Sequence, residues 1–306
     1  RRLHLPRRQL PRRSEALRHT VMDGGPSASH SPFSPHSPSV GAVRDNVAMD
    51  GICDDLAGEH HALDAVVAEL TEDQWLLPTP AVGWAIRDQI SHLWFFDQRA
   101  ALALRDPEAF AADMRWLMAA GGTHASIAPG GEMSGTALLA AWRHGRADLL
   151  SLACTIDPSV RVPWYGPAMA ARSFITARLM ETWAHGQDVA DALHVSIPAT
   201  ARLKHVAHIG VRARPFSYMI NGLALPDASV YIALTAPDGS LWEWGQPAAD
   251  RVTGNALDFC LVVTQRLHRN DARLVVEGSN AIEWIGIAQA FAGEPGGGRA
   301  AGHFGS

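Results

Sequence analysis

Glu181 and His185 stand four residues apart in RLMETWAHGQDVADAL (residues 178–193), and Asp188 follows one turn later. Spacings of four and three put the three polar groups on one helical face. A carboxylate and an imidazole on successive turns can reach a single cation, as paired ligands on one helix do in metalloproteases. By itself the pair reads first as an exposed charge contact, worth roughly 0.2–0.5 kcal/mol. A third ligand from elsewhere in the chain distinguishes the two readings. The best placed is His92 in RDQISHLWFF (87–96), where Ile90, Leu93, Trp94, Phe95 and Phe96 should draw the helix into a core. A core histidine is commonly satisfied by an ordinary hydrogen bond. Facing helices in a bundle lie about 8–10 Å apart, however, close enough for His92 to complete a site with Glu181 and His185. His60, His61, His144, His205 and His208 sit in less apolar sequence settings. Two histidines and one carboxylate leave a coordination position open, which marks a catalytic rather than a structural metal.

Helical patterning supplies elements to carry these residues. MDGICDDLAGEHHALDAVVAEL has apolar residues at mostly helical spacing from Met49, and Pro78 and Pro80 impose an extended connector. Helices are then expected over 84–104, over EAFAADMRWLMAA, over TALLAAWRHGRADLLSLACTI and over AMAARSFITARLMETWAHGQDVADAL. Four long helices make an antiparallel bundle the natural packing over residues 48–197. Past Pro198 one more helix, ARLKHVAHIGVRARPFSYMI, leads into mixed patterning. A hairpin turns at Asp238-Gly239, RVTG and RLVVEG read as short strands, and NALDFCLVVTQRLHR and NAIEWIGIAQAF read as helices. The fold class is therefore α plus α+β, with a second domain at 198–293 and a loose glycine-rich tail at 294–306.

Bulk properties narrow the function classes. The 306 residues are 47% hydrophobic with a formal net charge of −5, which gives no reason to expect nucleic acid or an acidic membrane surface as partner. No apolar run approaches the ~20 residues a membrane helix requires. Cys53, Cys154 and Cys260 are scattered and odd in number, as expected of a reducing cytoplasm. Residues 1–47 are Arg-, Ser- and Pro-rich and cannot bury enough apolar surface to order themselves. They read as a disordered extension, either a targeting peptide or an over-extended start ahead of Met22 or Met49.

The pair of segments WAIRDQISHLW (84–94) and ARLMETWAHGQD (177–188) resembles the DinB-like metalloprotein superfamily, and within it the actinobacterial branch that includes mycothiol-dependent maleylpyruvate isomerase. RVTGNALDFCLVVTQR, ending at Arg266, is similar to the strand–Gly–helix pattern of that branch's C-terminal domain. The resemblance spans about residues 49–293. It implies a DinB-like four-helix bundle with His92, Glu181 and His185 as metal ligands, followed by a small sterol-carrier-like α+β domain. It further implies a divalent cation, zinc first and nickel, manganese or iron(II) next, with mycothiol as thiol cosubstrate.

On that reading the metal favours the thiolate of a small thiol, which adds to or is transferred onto an electrophilic substrate. Asp188 would orient a ligand imidazole, although it reads equally as an exterior polar residue. Arg266 would meet a substrate carboxylate with its guanidinium fork, although it also reads as the end of an exposed helix. Trp164 and Tyr165, in the loop RVPWYGPAM just before the last bundle helix, would border the open position or else cap the core. The same ligand set also suits a metal-dependent hydrolase or a non-haem iron oxygenase. A third alternative is a non-catalytic metal-stabilised module whose C-terminal domain carries a lipid or acyl chain. The partners expected are a small thiol and an electrophile, on a monomer or homodimer.

Overall fold

The packing of the long helices decides whether the ligand-bearing segments can meet. A computed structural model of the protein describes residues 49–119 and 125–302. The Arg/Ser/Pro-rich extension at 1–47 lies outside the described residues. Asn46–Ser306 cluster as one compact unit. In chain order the helical elements are α1 (Met49–Val67), α2 (Glu72–Trp75), α3 (Ile86–Arg105), α4 (Pro107–Ala119), α5 (Ala128–Gly131) and α6 (Gly135–Ala153). The two-residue strands β1 (Arg161–Val162) and β2 (Met169–Ala170) pair antiparallel and lead into α7 (Ala171–Ala192). After α7 come α8 (Leu203–Arg212) and α9 (Arg214–Ile220). The chain continues with β3 (Tyr231–Thr235), β4 (Leu241–Trp244), β5 (Arg251–Asn255), α10 (Ala256–Val263), β6 (Leu274–Glu277) and α11 (Ser279–Ile287). The described residues are thus mostly helical, with a two-stranded ribbon and one four-stranded sheet. Among the described residues no helix is long and apolar enough to cross a membrane.

The sheet order is β4-β3-β5-β6, with β3 and β5 parallel and the other two pairs antiparallel. The hairpin expected at Asp238-Gly239 joins β3 to β4, and Gly239 takes the left-handed backbone (φ 83°) that such a tight turn requires. Several expected helices are shorter than their apolar patterns suggested, two of them for local reasons. The segment 201–220 breaks into α8 and α9 because Pro215, which has no N–H, belongs in the first turn of a new helix. The helix expected to run through Arg269 stops at Val263, and Gln265 follows in a left-handed conformation (φ 62°).

The α3 helix packs against α6 and α7, while α1 packs against α7 and touches α6. One core cluster runs from Ile52, Phe174 and Leu179 through Leu203 and Val206 to Phe259, Val263 and Trp284, so the helical and sheet-bearing parts share apolar contacts. Helix α8 is the connecting layer. A Cβ at Gly210 would fall 2.6 Å from Val263 Cγ2, so glycine there is what lets α8 lie close on α10. Residues 294–302, expected to form a loose tail, run back along this surface. Gly296 N–H donates to Gln289 (3.0 Å), and Arg299 reaches Asp188 (2.7 Å) and Asp191 (2.5 Å) on α7.

Two polar features lie inside the helical layer. Arg178 of α7 is 4% exposed and donates from Nε (3.2 Å) and Nη2 (2.9 Å) to Asp97 of α3, which is fully buried. Trp142 Nε1 of α6 donates to the other Asp97 oxygen (3.2 Å), so one carboxylate ties three helices. His60, placed by its sequence among the less apolar histidines, is 1% exposed, edge-on to Trp142, and neither ring nitrogen has a hydrogen-bond partner. Burial, reinforced by Arg146 and Arg178, lowers its pKa to about 3.

Replacing Arg178 with Met should lower unfolding free energy by about 3–5 kcal/mol, because it leaves a buried carboxylate without its cation; urea denaturation of the variant measures it. Acid should also weaken the fold. An unfolded His60 gains a proton near 6.5, whereas the folded one resists until about 3. Stability is therefore lost as pH falls through that window, by ~1.4 kcal/mol per pH unit for this group. Denaturation curves at pH 7 and 5 should show a smaller difference for His60→Phe than for the parent protein.

Candidate metal centre

His92 projects from α3, and Glu181 and His185 from successive turns of α7. One ligand atom from each lies within 4.8 Å of the other two. The two imidazole centroids are 4.6 Å apart, and Glu181 Oε2 is 3.3 Å from His185 Nε2. Both histidines are 8% exposed, while the Glu181 side chain keeps 23% of its surface open.

The orientation of His185 follows from a chain of hydrogen bonds that begins at the backbone. The carbonyl of Trp84 can only accept, and it accepts from the amide (2.8 Å) and the hydroxyl (2.9 Å) of Thr79. With its proton spent there, the Thr79 oxygen accepts from Gln89 Nε2 (2.8 Å). Gln89 therefore turns its carbonyl oxygen toward His185 Nδ1, at 2.5 Å. His185 must carry its proton on Nδ1, which leaves the Nε2 lone pair facing Glu181 and His92. His92 is held similarly, with Nδ1 2.8 Å from Ser126 Oγ. The loop carrying Ser126 is fixed by Ser91, whose hydroxyl donates to the Ser126 carbonyl (2.9 Å) and accepts from Gly130 N–H (3.0 Å). Both rings thus engage Nδ1 outward and present Nε2 to the shared space, the arrangement in which imidazoles serve as oriented metal ligands.

Electrostatics agree with that role. Burial, aided by the neighbouring His185 and the charges of Arg178 and Arg266, pushes His92 well below its usual range and keeps it a neutral donor at physiological pH. Burial opposes ionisation of Glu181, but the adjoining His185, with the Arg178 guanidinium behind it, outweighs burial and holds the carboxyl pKa at about 2. A carboxylate and two imidazole nitrogens, oriented before any ion arrives, fit a divalent cation and leave a position for an exogenous ligand. Trp84 covers the site: its ring stacks over His185 (centroids 6.0 Å, planes 13° apart) and tilts against His92 (5.2 Å).

The remaining sequence candidates lie around this centre. Asp188 does not meet a ligand imidazole in this structure; Gln89 holds that place, and Asp188 accepts from Arg266 (2.9 Å) and Arg299 (2.7 Å). Burial opposes its ionisation, but Arg266, His185 and Arg299 hold its pKa below the usual value. Arg266 also donates to the Thr264 carbonyl (2.7 Å) and sits close enough to His92 to lower its pKa. Trp164 and Tyr165 belong to an aromatic cluster with Phe110 and Phe96. They reach the centre through Phe96, whose ring is 4.7 Å from that of His92. Sequence reasoning missed Gln89, Thr79 and Ser126. Gln89 had a usable signal, being one turn before His92 on the same face; Ser126 had none.

Replacing Gln89 with Leu removes the acceptor that selects the His185 tautomer. Affinity for Zn2+ should fall by about 10–100-fold, read by competition with a chromophoric chelator, while Thr79→Val should have a smaller effect.

Comparisons with known proteins agree with this architecture. Residues 56–190 match the family described as the mycothiol maleylpyruvate isomerase N-terminal domain, a span that contains His92, Glu181 and His185. Two uncharacterised proteins, from two strains of Mycobacterium tuberculosis, are each 45% identical over 248 residues, covering 80% of this chain and 96% of the relative. The crystal structure of the mycothiol-dependent maleylpyruvate isomerase superposes with a TM-score of 0.50 at 16% identity, covering 77% of this chain and 95% of that one. A mutant form of that enzyme gives 0.51. At that identity the likeness is one of fold. The chain belongs to the mycothiol maleylpyruvate isomerase N-terminal domain family.

Proposed function

We propose that this protein is a metal-dependent enzyme that uses a low-molecular-weight thiol, mycothiol in the first instance, either to isomerise a small electrophile or to be transferred onto it. The observation that carries the reading is the convergence of His92, Glu181 and His185 with both imidazole Nδ1 atoms already engaged. In this reading the helical part (48–197) is a DinB-like four-helix bundle, and 198–293 is a sterol-carrier-like α+β domain. The three side chains hold the cation, with zinc the first candidate for a borderline N,N,O set. A divalent cation there would supply the positive charge that favours the thiolate over the thiol.

The nucleophile comes from outside the chain. None of the three cysteines is among the clustered ligands, Cys53 and Cys260 are buried, and burial raises the Cys260 pKa further. In the isomerase form, the thiolate adds to an alkene carbon conjugated to a carbonyl, turning C=C into a single bond. Rotation and elimination then return the thiol unchanged and the alkene with opposite geometry. In the transfer form, the adduct takes a proton and is kept.

Arg266 suits recognition of a substrate carboxylate. Two of its five N–H donors serve Asp188 and Thr264, which fix the guanidinium and leave donors to spare. Asp188, braced by Arg266 and Arg299, positions that guanidinium. Trp84 and Phe96 limit water at the site, and Trp164 and Tyr165 back that wall. Three scattered cysteines and a thiol cosubstrate both suit a reducing cytoplasm.

The purified protein should hold about one equivalent of divalent metal, and His92→Ala should lose most of it. Proton NMR of a cis-unsaturated keto acid should show isomerisation only with metal and mycothiol together. Full metal retention by the variant would remove His92 from the centre, and thiol-independent turnover would remove the thiol from the mechanism.

A further inference from the structure

We propose that a polar cavity between the end of α10, α11 and residues 296–299 is a binding site for a small oxyanion, carrying a carboxylate or phosphate group. The cavity measures about 160 Å³, roughly ten times what a single water needs by the same measure, so it has room for a polyatomic ligand. Its charged lining is cationic: Arg269 and Arg299 contribute, with His268 beside them and no Asp or Glu. Arg299 is already balanced by Asp188 and Asp191. Arg269 is exposed and makes no ion pair among the described residues, so its charge is available to a ligand.

Local backbone features shape the space. Gly286 lies under Arg269, and a Cβ there would fall 2.5 Å from Nη1, so the guanidinium rests against the α11 backbone only because the residue is glycine. A Cβ at Gly296 would fall 2.1 Å from Gln265 Oε1. Gln265 itself holds a left-handed backbone that non-glycine residues seldom adopt, and its amide donates to the carbonyls of Ala288 (3.3 Å) and Gly296 (3.2 Å). Such strain persists where surrounding contacts enforce it, and it concentrates at ligand sites. Gly297 and Gly298 follow, the latter at φ 62°, and their N–H groups make no hydrogen bond among the described residues. A guanidinium beside unpaired main-chain N–H groups is a known way to receive oxyanions. None of His92, Glu181, His185 or Trp84 lines this cavity, so the proposal stands apart from the thiol chemistry.

Isothermal titration of the full chain with inorganic phosphate, and separately with succinate, at fixed ionic strength tests it, since salt would otherwise screen an exposed arginine. Saturable binding of either probe is expected, and whichever binds names the oxyanion class. Arg269→Gln should weaken binding by about tenfold, the scale of one charged hydrogen bond. Gly286→Ala, which improves helix propensity and so preserves the fold, should weaken it by displacing the guanidinium. Metal content should be unchanged in both variants. Absence of saturable binding by either probe, or equal affinity in Arg269→Gln, would overturn the proposal.

Discussion

The buried pair between Asp97 and Arg178 is the constraint on which the candidate metal centre rests. Asp97 lies five residues after His92 on α3, and Arg178 lies three before Glu181 on α7, so the pair fastens the two ligand-bearing helices about one turn from the site. A carboxylate with no exposed surface is costly unless its cation is in place. Sliding one helix past the other by a residue would separate the charges and also remove the Trp142 hydrogen bond. Apolar contacts between α3 and α7 tolerate small shifts, whereas two fixed charges and an indole N–H do not. The distance between His92 and the α7 ligands is therefore set by a contact that touches none of them.

A second constraint acts on orientation rather than position. Two histidines brought close by helix packing could present either nitrogen, and only one choice gives a cation donor. For His185 that choice propagates from a main-chain carbonyl at Trp84 through Thr79 and Gln89, each group limiting the next because its proton is already committed. The connector carrying Trp84 and Thr79 is stiffened by Pro78 and Pro80 and by the bridge between Pro78 and Ala85. A loop thus fixes the tautomer, and the same residue whose carbonyl starts the relay lays its indole over both imidazoles.

These differences in range explain what could be read from the amino-acid order. Glu181 and His185 were legible because helical periodicity relates them directly, and His92 because its apolar neighbours demanded a buried face. The β3–β4 hairpin was legible from its Asp-Gly turn. Asp97 and Arg178 were not, since a charged residue on an amphipathic helix reads as solvent-facing until a partner 81 positions away is known. His60 was misplaced for the same reason: its neighbours in sequence are polar, while its neighbour in space is Trp142. The ends of α8 and α10 were set by Pro215 and by the strained Gln265, local effects that override an apolar pattern.

Asp188 shows how the C-terminal elements join the centre. It sits one turn past His185, and its two oxygens are taken by Arg266, just beyond α10, and Arg299, in the closing ribbon. A buried carboxylate facing two guanidiniums stays ionised, and each arginine is aimed by the other interactions it makes. Arg266 is aimed by the Thr264 carbonyl, Arg299 by Asp191. The last turn of α7 is consequently held by α3 through Gln89 and by residues 78 and 111 positions downstream through Asp188. The helical part alone would retain three ligand side chains but would leave Asp188 as an unpaired, largely desolvated charge beside one of them. The sheet-bearing part is for that reason a structural component of the candidate metal centre as well as a neighbour to it.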